Sequence, residues 1–375
     1  MARNILGVLG LALAAFIGLI AILILGGLGY RAWSQHDAAR AFRITTANGI
    51  DEGRFVRIGG IEQWITIRGD DRSNPVLLYL HGGPGSAMFP GAVMRSWEHW
   101  FTIVQWDQRG AGRTYMRNPK PARGMTIDRM AGDGIEVTEF VRAKMHKPKV
   151  VLVGASWGSI LGLTMIKARP DLYSAYVGGG NVVDPPRMDA FARTALIAQA
   201  RARGDTKSAT ALETLGPPPW QQQQLGVERR ILMTYAPPAE IRINQAFPGY
   251  LLRAPGYSLG DVYQFMRGML GSQTVLVPQI EAWKAERLGR DFQVPMFFIQ
   301  GTDDLQTPTS LVKDYADWVR APRKDFVLVP GGGHTAMLSH EAFVLQVLRA
   351  RVRPLAIAAD AEPVTPSTAS AGPRR

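Results

Sequence analysis

Val150-Val151-Leu152-Val153-Gly154-Ala155-Ser156-Trp157-Gly158 is the stretch on which the reading of this chain turns. The apolar run from Lys149 to Val153 predicts a buried strand, and Ile160 to Arg169 predicts a helix stopped by Pro170. A serine between a strand and a helix sits on a sharp, strained turn, with its Oγ lifted above the sheet edge. Glycines two residues to either side fit a backbone that passes close to its neighbours there. The helix that follows aims its N-terminal amides at any negative charge developing beside the serine. Ser156 is therefore the candidate nucleophile.

The remaining chemistry reads outward from that serine. Upstream, His81-Gly82-Gly83-Pro84-Gly85 follows the apolar run Val76 to Leu80, where a glycine loop leaves amides facing a ligand. The amides of Gly83 and Trp157 are the expected oxyanion donors. Downstream, a base and its acid must come in the order serine, acid, histidine. Of the six histidines only His334 and His340 follow Ser156. His334 lies in a glycine loop just past the strand Phe326 to Val329, whereas His340 opens a helix, so His334 is the candidate base. The strand Val294 to Gln300 ends in Gly301-Thr302-Asp303-Asp304, and the residues alone leave both aspartates open as the acid. Asp107 and Arg109 read as a buried ion pair bracing the loop beside the oxyanion donors. No histidine pair has metal-ligand spacing, and no glycine loop carries the Lys-Ser/Thr of a phosphate site, so neither metal nor cofactor is expected.

Strands alternating with helices predict an α/β architecture, a mainly parallel sheet covered on both faces. Phe55 to Ile58 and Glu62 to Ile67 read as an antiparallel pair around Gly59-Gly60, and Phe101 to Trp106 as a further strand. Ile127 to His146 has helical periodicity, with Met130, Ile135, Phe140 and Val141 inward. The alternation breaks near Asp184. From 185 to 290 proline-punctuated helical stretches replace strands, predicting an inserted helical cap. The expected organisation is an anchor (1–33), a first core part (44–184), the cap, a second core part (291–354) ending in a helix from Glu341 to Arg351, and a disordered tail (355–375).

Composition bounds the partners. The chain has 375 residues, 46% hydrophobic and 20% charged, as in a folded globular protein, and no cysteine, which excludes thiol nucleophiles and thiolate metal sites. The net charge of +12 is scattered, without basic runs interleaved with aromatics, so no nucleic-acid partner is expected; attraction to anionic lipid headgroups is the simpler reading. Ile5 to Tyr30 is apolar throughout and reaches the roughly 20 residues needed to cross a bilayer. It exceeds the core of a cleaved signal and runs into Tyr30, Arg31 and Trp33, which suit the membrane interface. An uncleaved membrane anchor is expected, with the catalytic domain outside the cytoplasm of a bacterial-type cell, at the periplasmic face of the inner membrane. Arg3 before the span and Arg31, Arg40 and Arg43 after it do not by themselves fix the orientation. Nothing in the sequence sets an oligomeric state.

Together with Asp107-Gln108-Arg109-Gly110-Ala111-Gly112, the two motifs around Gly83 and Ser156 resemble the proline iminopeptidase group of α/β-hydrolases, over roughly 53–354. The resemblance implies the α/β-hydrolase fold and a serine acyl-enzyme, and it picks Asp304, the fourth residue of Gly301-Thr302-Asp303-Asp304 ahead of Pro308. It also implies cap carboxylates that hold a substrate's free ammonium. Here the chain departs from the group: Leu305 follows the acid where some relatives have a glutamate, and the Trp-x-x-Trp-Glu element is absent. Glu213, Glu228, Glu240, Asp261 and Glu281 are the nearest acids. The expected substrate is a short peptide; the alternative is an ester, lactone or amide of a greasy small molecule, in a pocket drawn from Trp220, Tyr250, Tyr263, Phe265 and Met266. A binding protein on a dead hydrolase fold is a third class, opposed by the intact set of candidate catalytic residues.

Overall fold

The computed structural model describes residues 2–88, 94–119 and 124–361. It opens with a single helix, α1 (Ala2–Ala41), in which Leu9–Ala41 is long and apolar enough to cross a membrane. At 1.5 Å per residue, 40 residues span about 60 Å, twice a bilayer core. The helix therefore does not break at residue 33, where the anchor was expected to end. Its last turns dock on the body: Ser34 is buried, Gln35 Nε2 donates to the carbonyls of Ala254 and Tyr257 at 2.8 Å each, and Arg31 donates to that of Tyr257.

Eight strands follow among the described residues: β1 (Ile50–Ile58), β2 (Ile61–Gly69), β3 (Val76–Leu80), β4 (Thr102–Asp107), β5 (Val150–Ala155), β6 (Tyr173–Gly179), β7 (Met296–Gly301) and β8 (Lys324–Val329). They form one sheet in the order β1-β2-β4-β3-β5-β6-β7-β8. The β1–β2 and β2–β4 pairs are antiparallel and the rest are parallel. The central parallel strands are apolar along their length because both faces are covered: Val150 and Leu152 enter one core, Val151 and Val153 the other. β6 is a strand that its sequence does not announce. Its Tyr-Ser-Ala-Tyr-Val-Gly-Gly has one β-branched residue and two glycines, so only its place between β5 and β7 makes it a strand.

Helices α2 (Gly112–Arg117), α3 (Ile127–Met145) and α4 (Trp157–Ala168) belong to the first half of the body. α3 starts on Thr126, whose side chain accepts the Arg129 amide, and ends on His146 in the left-handed region. Met130 and Val141 are fully inward, while Ile135 and Phe140 pack half-buried at its edge. The cap is helical throughout: α5 (Pro185–Ala202), α6 (Thr206–Leu215), α7 (Gln222–Tyr235), α8 (Pro238–Arg253) and α9 (Leu259–Glu281). α10 (Thr309–Trp318), α11 (Ala336–Ser339), α12 (Glu341–Val347) and α13 (Arg353–Asp360) complete the chain. α13 corrects the tail expected from 355: Ala356 and Ala359 are buried, and Lys147 Nζ pairs with Asp360 at 2.5 Å. Residues 362–375 lie outside the described set.

Candidate active site

Ser156 is the residue between β5 and α4, and its backbone is at φ 52°, ψ −121°. A non-glycine residue there costs about 1–3 kcal/mol, so the surroundings must enforce it. They do so with three hydrogen bonds: the Ser156 amide donates to Gly179 O at 2.9 Å, and the Ser159 amide and Oγ both donate to Ser156 O at 2.7 and 2.6 Å. The flanking glycines are spatial necessities. A Cβ on Gly158 would sit 2.2 Å from Leu80 O, and one on Gly154 would sit 2.4 Å from Gly158 O.

The strand ends bring the other two expected residues to this turn. His334 Nε2 is 2.9 Å from Ser156 Oγ, and its Nδ1 is 3.2 Å from Asp304 Oδ2. Asp304 is buried and fixed from several sides. Its Oδ1 accepts the amides of Gln306 and Thr307 at 2.9 and 2.8 Å; its Oδ2 accepts Gln300 Nε2 at 2.8 Å and Thr307 Oγ1 at 2.5 Å. Asp303 is exposed, so the turn separates the two aspartates. Burial opposes charging the His334 ring, but Asp304 and then Glu240 outweigh it and hold the imidazole above its ordinary pKa.

Glu240 comes from the cap. Its buried carboxylate lies beside the backbone amides of His334 and Thr335, which favour its charged form, and a Cβ on Gly333 would lie 1.8 Å from its Oε2. The cap thus grips the loop that carries the histidine.

The Gly83 loop lies where the motif predicts. A Cβ on Gly82 would be 3.1 Å from Ser156 Cβ, Gly83 is at φ +42°, and Trp157 opens α4, so its amide is an orphan donor of the helix N-terminus. Gln108 ties these pieces together: its Oε1 accepts Trp157 Nε1 at 2.9 Å and its Nε2 donates to His81 O at 3.3 Å. Burial depresses the His81 ring to about 4, so it stays neutral at ordinary pH. Asp107 and Arg109 do not pair. Arg109 Nε reaches Asp133 on α3 at 2.9 Å, while Asp107 accepts the Arg113 amide at 2.7 Å, and burial pushes its carboxyl up to about 7.

Two chambers meet at Ser156. One, about 350 Å³, is mainly apolar, with Ile243, Phe247 and Tyr250 of α8, Met269 of α9 and Met337 among its walls. The other, about 370 Å³, runs under α5, α7 and α9 to Asp189, Arg229 and Glu281. Arg229 donates to Glu228 Oε2 at 2.7 Å and to Asp189 Oδ1 at 3.0 Å. Asp189 Oδ2, Glu228 Oε1 and Glu281 Oε2 are buried with no hydrogen-bond partner among the described residues. Burial raises the pKa of all three carboxyls, to about 7 for Glu228 and Glu281.

Of the five acids expected near the site, Glu228, Glu240 and Glu281 are there. Glu213 instead pairs with Arg201, and Asp261 caps α9. Asp189 and Arg229 carry no motif that would have marked them in the sequence. Of the five side chains expected to form the pocket only Tyr250 lines a chamber wall; Trp220 and Phe265 are buried in the cap, while Tyr263 and Met266 face outward.

The sequence matches the Alpha/beta hydrolase family over residues 77–347. It is 30% identical over 305 residues to a protein of Bacillus subtilis (strain 168) named probable aminopeptidase YbaC, covering 79% of this chain and 94% of that one. A probable proline iminopeptidase of Streptomyces coelicolor is 33% identical over 109 residues, 29% of this chain and 33% of that protein. The crystal structure of a proline iminopeptidase-related protein from Thermus thermophilus superposes with a TM-score of 0.57 at 18% identity, over 83% of this chain and 98% of the other, a likeness of fold. With the sheet order, the serine turn and these matches in hand, the chain belongs to the α/β hydrolase family and is a hydrolase.

Proposed function

We propose that this hydrolase is a serine aminopeptidase that removes N-terminal residues, proline among them, from short peptides. Ser156 Oγ attacks the scissile carbonyl while His334 Nε2 takes its proton, and Asp304 holds the ring through Nδ1. The amides of Gly83 and Trp157 receive the oxyanion. His334 then gives the proton to the leaving amine, and water, activated by the same ring, hydrolyses the acyl-enzyme and regenerates Ser156.

One observation carries the choice of an aminopeptidase. Three buried carboxylate oxygens, on Asp189, Glu228 and Glu281, lack partners among the described residues; Asp189 and Glu281 line a chamber that also reaches Ser156, and Glu228 joins them through Arg229. Buried charges persist when paired, and Arg229 can neutralise only one of the three. A primary ammonium brings three N–H donors and the secondary ammonium of proline brings two. In this reading the N-terminal ammonium is drawn to these carboxylates, the first peptide carbonyl is presented to Ser156, and the rest of the peptide runs into the apolar chamber.

The deciding measurement is kcat/KM of the full-length protein on proline aryl-amide, its N-acetyl counterpart and a short acyl ester. Strong preference for the free amine supports the reading. Equal or better turnover of the blocked amide or the ester replaces it with the second reading, an esterase, lactonase or amidase, which the 350 Å³ apolar chamber favours. Loss of both activities in Ser156→Ala would separate either enzyme from a contaminant or a binding protein. In this reading α1 anchors the protein in a bacterial-type inner membrane with the catalytic domain in the periplasm. Protease added to spheroplasts would digest that domain if the topology is right and spare it if the domain is cytoplasmic.

A further inference from the structure

Helix α9 is apolar on two opposite sides. Phe265, Gly268, Ser272 and Leu276 face inward and are buried. Leu259, Tyr263, Met266 and Leu270 face outward and are 49, 61, 39 and 54% exposed. At 3.6 residues per turn these four fall within about 60° of arc, on the side away from the buried set. Leu252, near the end of α8, is a further exposed apolar residue at 42%. Arginines flank the stripe: Arg253 ends α8, and the Arg267 guanidinium lies 5.8 Å from the Tyr263 ring. A large apolar stripe rimmed by cations is the surface of an interfacial helix.

The neighbouring anchor indicates what covers it. The loop joining α8 to α9 carries the Ala254 and Tyr257 carbonyls that accept Gln35 and Arg31 of α1. Those two residues stand at the Tyr30–Trp33 ring pair and just beyond it, where the run of apolar residues exposed from Leu9 to Leu28 ends. The start of α9 is thereby fastened beside the end of the span, so Leu259 and Tyr263 begin at the level where an inserted α1 leaves the lipid. We propose that the outer face of α9, with Leu252, rests in the headgroup–acyl boundary of the bilayer that α1 crosses. The cap then has a second contact with the membrane, independent of the span. α8 and α9 also wall the apolar chamber at Ser156 through Phe247, Tyr250 and Met269, so that chamber lies next to lipid.

The proposal rests on α1 being a membrane span, and the test separates the two. The chain has no cysteine, so single cysteines report cleanly. Full-length protein carrying Tyr263→Cys, Met266→Cys or Leu270→Cys is labelled with a polarity-sensitive fluorophore and reconstituted in phosphatidylethanolamine–phosphatidylglycerol vesicles. Leu23→Cys in the span and the exposed Lys313→Cys on α10 serve as references. The expected result is quenching by lipids spin-labelled high on the acyl chain, several-fold stronger at 263, 266 and 270 than at 313, whereas Leu23 responds best to a deep label. Quenching at 23 with none above the 313 level on α9 would overturn the proposal and leave the span standing. Absence of quenching at 23 as well would remove the span and the proposal together. Excimer emission between pyrene-labelled copies at 263, without lipid quenching, would assign the stripe to a second copy of the chain and also overturn it.

Discussion

Replacing Glu281 by glutamine tests the amine reading at one atom. The change keeps the shape and removes one charge from a cluster in which Arg229 holds one oxygen each of Glu228 and Asp189. Glu281 Oε2 is left without a partner among the described residues. A hydrogen bond between charged groups contributes about 1.5–3 kcal/mol. At 1.36 kcal/mol per factor of ten, kcat/KM on proline aryl-amide should fall roughly 10- to 150-fold. The N-acetyl amide has no ammonium to lose and should change by less than about twofold. The two substrates also part company with pH. Glu228 and Glu281 titrate near 7 because burial raises them, so acidification through that range protonates the site. A protonated carboxyl no longer attracts an ammonium, and free-amine turnover should fall with pH more steeply than blocked turnover. Steady-state kinetics on the matched pair from about pH 5.5 to 8.5, a range that brackets those carboxyls, gives both readouts. An equal loss on both substrates would mean that Glu281 supports the fold rather than the ammonium, and no loss on the free amine would put the ammonium elsewhere.

Glu240→Gln removes a negative neighbour that helps hold His334 above its ordinary pKa, so the acid limb of kcat/KM should move to lower pH on every substrate, with the high-pH plateau kept within a few-fold. The sign follows from the base having to be neutral to accept the serine proton; a limb that stays put would show that Asp304 alone sets the ring. Asp304→Asn should cost about 10⁴-fold in kcat, as expected when the histidine loses its orienting carboxylate, and Asp303→Asn under about twofold; comparable losses would refute the assignment. Gly158→Ala drives a Cβ to 2.2 Å from the Leu80 carbonyl, backbone against backbone, so it should cost at least about 3 kcal/mol. By thermal melting that is a drop of roughly 4 °C or more for a chain of this length, while Gly132→Ala, with nothing within 4 Å, should hold or raise Tm.

The proposed reacting core was legible because each of its residues follows a strand whose apolar run is visible, and because chain order restricts which histidine and which acid can serve. The choice between Asp303 and Asp304 was not legible from the residues, since both follow β7. It is made by a turn whose amides at Gln306 and Thr307 capture one carboxylate and not the other. Asp107 and Arg109 misled for a related reason. Asp107 is the last residue of β4, and the chain then turns, sending Arg109 across to Asp133 on α3 while Asp107 stays with α2. Nearness in sequence said nothing about that turn. β6 was hidden by its glycines and small residues, which suit a strand squeezed between two others but carry little propensity. In the cap, proline punctuation announced helices but could not say which acids converge. Asp189, Glu228 and Glu281 lie on three different helices and meet only through packing of α5, α7 and α9.

That packing gives the cap two connections to the chemistry. Through α8, Glu240 lies against the amides of the loop that carries His334, so in the proposed mechanism the base is positioned partly by a cap side chain. Through α5, α7 and α9, Asp189, Arg229 and Glu281 line the chamber that also reaches Ser156. A lid that only excluded water would need neither contact. A displacement of α8 that loosens the Glu240 grip would disturb the base on all substrates, whereas a displacement of α7 would disturb only recognition at the ammonium end. Variants in the two places should therefore differ in kind: cap substitutions on α8 alter the pH profile, and those on α5, α7 and α9 alter the ratio of free to blocked substrate. Under the proposed function the cap is in that sense part of the active site, one side of it steadying the base and the other choosing what the base acts on.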